Sequence, residues 1–179
     1  QRQERGDLVA YVGPEAGNEA GAPAAFDPAR AEIMVNTDVA FGKHTKPSAI
    51  VNIATRKTQF EFAKATGAMF HEAMHARYTT WDLYASAKAL TPNENAALHI
   101  LEESRMEGLG VKHMPKMRNF LRSCALEIVI GDVKETADKL SDTRAAAHLA
   151  ALTLARVDAG VLDDEDILAI AVKIKDVLG

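Results

Sequence analysis

Apolar residues recur at spacings of three and four between Lys57 and Thr80, a pattern that predicts a helix with one buried face. This helix contains the run His71-Glu72-Ala73-Met74-His75. Residues four apart on an α-helix lie about 40° apart around the axis and one turn along it. His71 and His75 can therefore direct imidazole nitrogens at one ion. Glu72 is displaced by about 100° from His71, so we expect it to hold a water molecule and not the metal.

Two histidines and a neighbouring glutamate in this pattern indicate a zinc hydrolase, in which the metal lowers the pKa of water and the glutamate takes its proton. The single cysteine, Cys124, excludes zinc sites built from several cysteines. We therefore predict Zn²⁺ at His71 and His75, with Glu72 as the general base. The competing interpretation is an amphipathic helix with two histidines, one of them hydrogen-bonded in the core.

A second helix is expected to supply the third ligand. The run Thr91-Pro92-Asn93-Glu94 has the form of a capping box with proline at the first helical position. The helix is predicted to continue to about Leu109, where Gly108 and Gly110 end it.

Ile100, Glu103 and Glu107 share one stripe of this helix. Two carboxylates that continue an apolar stripe are costly to bury unless a cation faces them. We therefore predict Glu103 as the third ligand and Glu107, one turn further on, as an acceptor that fixes the tautomer of a ligand histidine. Glu102 is a reserve ligand.

Two other interpretations remain open for these acids. Glu94 follows His75 after 18 residues, a spacing used by some zinc aminopeptidases, although capping already explains its carboxylate. The acidic cluster on the second helix is alternatively a solvated face with Glu to Arg pairs. Arg105 is expected to join such a pair.

Two short motifs carry a resemblance to known metallopeptidases: Gly67-Ala-Met-Phe-His-Glu-Ala-Met-His-Ala-Arg77 and Leu101-Glu-Glu-Ser-Arg-Met-Glu107. Their histidines and glutamates resemble the gluzincin arrangement of thermolysin-like peptidases. Together the motifs look like the metallopeptidase-like region of bacterial and phage proteins, often upstream of a von Willebrand factor A domain. The likeness extends in character over about residues 30–130. Glu102 departs from the thermolysin-like pattern, which has Asn before the Glu ligand.

The resemblance implies a zincin-like fold, a peptide or protein substrate, and a von Willebrand A domain or AAA+ ATPase as a partner. It supplies no transition-state donor. We nominate Tyr78, three residues after His75, and His113, expected in the loop after the second helix, to stabilise an oxyanion. The resemblance also implies that an edge strand beside the metal-binding helix pairs with substrate. The strand from Ile33 to Phe41 is the candidate.

The whole chain, residues 1–179, is predicted to form a single domain with an α+β fold that is mainly α with a small β region. Residues 1–30 are loop-rich with a strand from Leu8 to Val12, and alternation predicts a strand over 32–41 within a strand region of about 32–54. Residues 57–179 are helical. Gly67 costs its helix about 1 kcal/mol relative to alanine, so we expect a close backbone approach there, with the strand 33–41 as neighbour. The remaining predicted elements are an ambiguous segment, 48–54, and helices over 81–90, 116–130, 143–157 and 163–178.

Composition excludes some classes of function. The 179 residues are 47% hydrophobic, enough for a core, and 21 basic against 25 acidic residues give a net charge of −4. A mildly acidic chain is a poor nucleic-acid binder. No apolar run approaches the roughly 20 residues of a membrane span. We expect a cytoplasmic protein and, because the chain begins at Gln1, a fragment or processed form.

Two alternatives to a peptidase stay open. One is a catalytically silent metal-binding zincin scaffold that docks a partner, and the other is a metal-free helical interaction domain of phage or bacterial origin. Glu72 favours catalysis, because a scaffold has no use for a base beside the ion.

Overall fold

The computed structural model describes residues 8–14, 16, 24–36, 38, 63–82, 90–139 and 142–178. In these ranges the chain is mainly helical with a small three-stranded sheet, which confirms the predicted α+β class. The chain forms two compact units. One consists of Gln1–Trp81 with Asn119–Cys124, and the other of Asp82–Arg118 with Ala125–Gly179. The expectation of a single domain stays a prediction.

The sheet of the first unit contains β1 (Val9–Gly13), β2 (Ala24–Asp27) and β3 (Glu32–Asn36) in the order β1-β3-β2. β1 pairs with β3 in parallel, and β2 pairs with it antiparallel. Ile33 and Val35 are buried, as their alternation predicts. The strand is shorter than predicted, because Asp38 is helical and its N–H donates to Asn36 Oδ1 at 3.1 Å. Thr37 and residues 39–62 lie outside the described part, including the ambiguous segment 48–54.

β3 is the central strand of the sheet, so the expected pairing of a peptide with this strand is wrong. Both of its edges already form ladders, one with β1 and one with β2. A strand accepts a further chain only along an edge with unpaired N–H and C=O groups. Sequence alternation could not distinguish a central from an edge strand, because it reports burial and not neighbours.

Helix α1 (Ala63–Tyr78) packs against β2 and β3. Phe70 and Met74 are buried on its apolar face, as the spacing predicts. Gly67 is a close approach, but its neighbour is not the strand: a Cβ at Gly67 would fall on the carbonyl of Phe120 and 2.8 Å from Cβ of Cys124. Of the helix predicted over 81–90, Trp81 and Asp82 are helical and residues 83–89 are outside the described ranges.

The second unit is built from α2 (Pro92–His113), most of α3 (Arg118–Lys139), α4 (Asp142–Asp158) and α5 (Asp164–Leu178). α2 packs on α4, and α4 packs on α5. The capping box at Thr91 and Glu94 is present. The predicted stop at Gly108 and Gly110 is wrong, since α2 continues through both. No helix in the described ranges has the length and apolar character needed to cross a membrane.

Candidate metal centre

The candidate site begins with two histidines on successive turns of α1. The ring centroids of His71 and His75 are 4.8 Å apart, and the rings meet edge to face at 81°. Both side chains are half-buried. The helical spacing therefore places the two imidazoles side by side, as the sequence predicts.

The third predicted ligand joins them. His71, His75 and Glu103 each offer one ligand atom, and these three atoms all lie within 4.8 Å of one another. All three residues are half-buried. Among the residues the structure describes, this is the one group of three or more potential ligands that is close enough to hold a metal ion.

His75 is oriented by contacts within its own unit. Its Nδ1 lies 2.9 Å from Oγ1 of Thr79, one helical turn further along. Its ring packs against Trp81 with centroids 5.9 Å apart, and Trp81 in turn packs against Phe26 of β2 at 5.6 Å. A hydrogen bond at Nδ1 is the kind of contact that orients a metal-binding imidazole.

Glu103 is held on α2 by a residue of α4. Nη2 of Arg156 lies 3.6 Å from Oε2 of Glu103, and the side chains are 6% and 18% exposed. Next to it, the hydroxyl of Ser104 donates to Oδ2 of Asp158 at 2.7 Å. Two polar contacts between α2 and α4 therefore fix the helix segment that carries the third candidate ligand.

Glu102, the reserve ligand, and Glu94, the alternative by spacing, have other partners. Glu102 accepts two hydrogen bonds of 2.7 Å from the guanidinium of Arg105, which confirms the pair expected for that arginine. Glu94 is exposed and accepts from Thr91 at 2.8 Å. Hydrogen bonds from the backbone and then the side chain of Thr91 lower the pKa of Glu94. Neither acid belongs to the group of three.

Glu107 is one turn beyond Glu103 and is buried, with 2% of its surface exposed. Burial of a carboxylate at this depth requires polar or cationic neighbours. Its proposed hydrogen bond to a ligand histidine stays a prediction.

The candidate catalytic residues lie on α1 and α2. Glu72 is half-buried on α1 beside His71, and Tyr78 is the last residue of α1, with the Arg77 guanidinium 5.6 Å from its ring centroid. His113 is not in a loop, as expected, but is the last residue of α2; it is exposed, and its Nδ1–H donates to the Leu109 carbonyl at 2.7 Å. It follows Glu103 by ten residues, which is about 15 Å along the helix.

Two residues of the site were missed from the sequence, Thr79 and Arg156. Thr79 follows His75 by four residues, the spacing of side chains on adjacent turns. Arg156 continues a buried stripe of α4 that also contains Ala145, Leu149 and Thr153. An arginine in an otherwise uncharged stripe was the available signal, because a buried guanidinium needs a counter-charge.

Comparison of the chain with protein-family models, with curated proteins and with solved structures gives no match. A function for this chain therefore has to be inferred from the side chains described above.

Proposed function

We propose that this chain is a zinc-dependent peptidase with a zincin-like site formed by His71, His75 and Glu103. The observation that carries the proposal is the approach of their ligand atoms to within 4.8 Å of one another. Glu72, directly after the first histidine, adds the base that hydrolysis requires.

The residues fit a zinc ion by their chemistry. Two imidazoles and one carboxylate form a ligand set that catalytic Zn²⁺ uses, with a position left for water or substrate. The contact between His75 and Thr79 supports this fit, because metal-binding histidines engage their second nitrogen in a hydrogen bond. A bound Zn²⁺ would lower the pKa of water and polarise the scissile carbonyl.

Glu72 and Tyr78 would perform the remaining steps. The carboxylate of Glu72 takes the proton from the attacking water and delivers it to the leaving amine. Tyr78, three residues beyond His75, would donate a hydrogen bond from its hydroxyl to the developing oxyanion. His113 is not favoured for this role, since α2 carries it about 15 Å from Glu103.

An extended peptide would bind along β2, which replaces β3 as the candidate strand. β2 contacts α1 and has one ladder partner, β3, among the described strands. Pairing along a strand edge supplies backbone hydrogen bonds to any sequence, while side-chain pockets supply preference. Phe26 of β2 contacts Trp81, which packs on His75, so this strand is connected to the ligand helix by aromatic contacts.

Bound metal is the first test. Protein purified without a histidine tag is analysed by mass spectrometry for zinc, alongside His75→Ala, Glu103→Gln and the control His99→Ala on the exposed face of α2. We expect about one zinc per chain in the wild type and the control, and loss in the two ligand variants. Absence of zinc from the wild type after incubation with the metal would reject the proposed site.

Cleavage is the second test. Wild type and Glu72→Gln are loaded with zinc and compared on unfolded proteins and peptide libraries. We expect Glu72→Gln to keep its zinc and to lose about 10² to 10⁴-fold in kcat, the range for a removed general base. Equal cleavage by both would reject the assigned base, and zinc binding with no cleavage by the wild type would reject the peptidase in favour of a metal-binding scaffold.

A further inference from the structure

Arg156 is buried at the C-terminal end of α4 beside Glu103 of α2. Nη2 lies 3.6 Å from Oε2 of Glu103, and Nη1 donates to the carbonyl of Leu152 at 3.3 Å. Its side chain is 6% exposed. Within the described part of the chain, Glu103 is the only carboxylate within salt-bridge distance of this guanidinium.

The buried guanidinium of Arg156 requires a compensating charge, because its removal from water is costly unless a carboxylate lies beside it. Compensation alone would be satisfied by any acid within reach of the guanidinium. The acid present is the one that also belongs to the group with His71 and His75. Glu102, the preceding residue, is instead paired with the exposed Arg105.

We infer that Arg156 is a positioning residue for the metal ligand Glu103, an inference that rests on the proposed metal site. A carboxylate has two oxygens. Arg156 lies beside Oε2, so the other oxygen, Oε1, would be the single atom that Glu103 offers to the ion. The hydrogen bond to Leu152 fixes the guanidinium, and the ligand is thereby oriented before the metal arrives. Ordering a long glutamate side chain in advance removes an entropic cost from metal binding.

Metal affinity tests the inference. Zinc dissociation constants are measured by chelator competition for wild type, Arg156→Met, Arg156→Lys and the control Arg105→Met, whose arginine is paired with Glu102. We expect Arg156→Met to bind zinc about 10 to 100-fold more weakly, the range for residues that orient metal ligands. Arg156→Lys should recover most of the affinity because it keeps a cation beside Oε2, and Arg105→Met should match the wild type.

A cobalt spectrum separates positioning from a general loss of structure. In the Arg156→Met variant Oε2 of Glu103 is no longer paired, so both carboxylate oxygens can bind the ion; we expect a fifth ligand atom and weaker visible absorption of bound Co²⁺. In a Glu103→Gln background, Arg156→Met should have little further effect on affinity, since the group it orients is gone. A packing defect would lower affinity equally in both backgrounds.

The outcomes are distinct. If the wild type binds no metal, the proposed function itself fails. If the wild type and Arg156→Met bind zinc equally while Glu103→Gln binds weakly, the metal site stands and the positioning role is overturned. Equal losses in the Met and Lys variants would also overturn it. Should Arg156→Met not fold, Arg156→Gln, which can keep the hydrogen bond to Leu152, takes its place with the same expected loss.

Discussion

Thr79 contacts His75 through both its side chain and its backbone. Its Oγ1 lies 2.9 Å from Nδ1 of His75, and its backbone N–H donates to the carbonyl of His75 at 3.1 Å. The first contact fixes the imidazole ring, and the second fixes the position of Thr79 at the end of α1. A threonine thus takes the place that a carboxylate or carbonyl occupies beside many metal-binding histidines.

Replacing Thr79 by valine should weaken zinc binding. The variant keeps the shape of the side chain but loses the hydrogen bond to Nδ1 that orients the ring of His75. We expect zinc affinity to fall about tenfold, the lower end of the range for such partners. Thr80→Val, at the exposed neighbouring position, is the control. Equal affinities for the two variants, measured by calorimetric titration, would show that Thr79 does not orient the ring.

Two helical glycines should respond in opposite directions to alanine. At Gly67 a Cβ would overlap the carbonyl of Phe120, so α1 and α3 must separate, and we expect a loss of at least about 2 kcal/mol in the free energy of unfolding. At Gly108 a Cβ meets Cα of Ala159 at 3.6 Å, an ordinary contact. Gly108→Ala should therefore gain about 0.5 to 1 kcal/mol from helix propensity. Urea unfolding measures both, and similar stabilities for the two variants would contradict the expected difference.

Local sequence signals predicted where a helix begins better than they predicted which elements pack against each other. The capping box at Thr91 gave the start of α2 because its hydrogen bonds involve residues three apart. Gly108 and Gly110 misled the prediction of its end, since the cost of a helical glycine, about 1 kcal/mol, is offset where the helix is packed. Gly110 is buried, and Gly108 faces Ala159. The sequence also did not reveal that α3 packs on Gly67, because α3 is more than fifty residues away along the chain.

The site was predictable only where its geometry is helical. His71 and His75 share one helix, so their spacing alone defines how the two side chains lie relative to each other. Glu103 was selected from its stripe on α2, and the structure groups it with the histidines. Arg156 was not found, because its pairing with Glu103 joins residues 53 apart in sequence and no local pattern encodes it.

The capping box should give Glu94 a distinctive titration. Hydrogen bonds from Thr91 stabilise the ionised carboxylate and lower its pKa from the ordinary 4.5. Because the pKa is depressed in the folded state, the resulting stabilisation is complete above the unfolded value and is lost as pH falls through the folded one. Carboxyl NMR titration should find a pKa below 4.5 for Glu94 in the wild type. In Thr91→Ala it should rise only part of the way, since the backbone N–H of residue 91 remains. An unchanged pKa in that variant would exclude the hydroxyl contribution.

Zinc should stabilise the folded chain, and Glu103 should be required for the effect. An ion that binds only the folded state stabilises it by about 2.7 kcal/mol at a free concentration of 100 times Kd. For a chain of this length that corresponds to a rise of about 5 to 10 °C in Tm. Glu103→Gln should lose most of this rise, whereas Glu102→Gln, which weakens the ion pair with Arg105, should retain it. Each variant is compared with itself in chelator by calorimetry, so its own baseline stability cancels. If Glu103→Gln gains as much from zinc as Glu102→Gln, the ion binds elsewhere and the carboxylate on α2 is not its ligand.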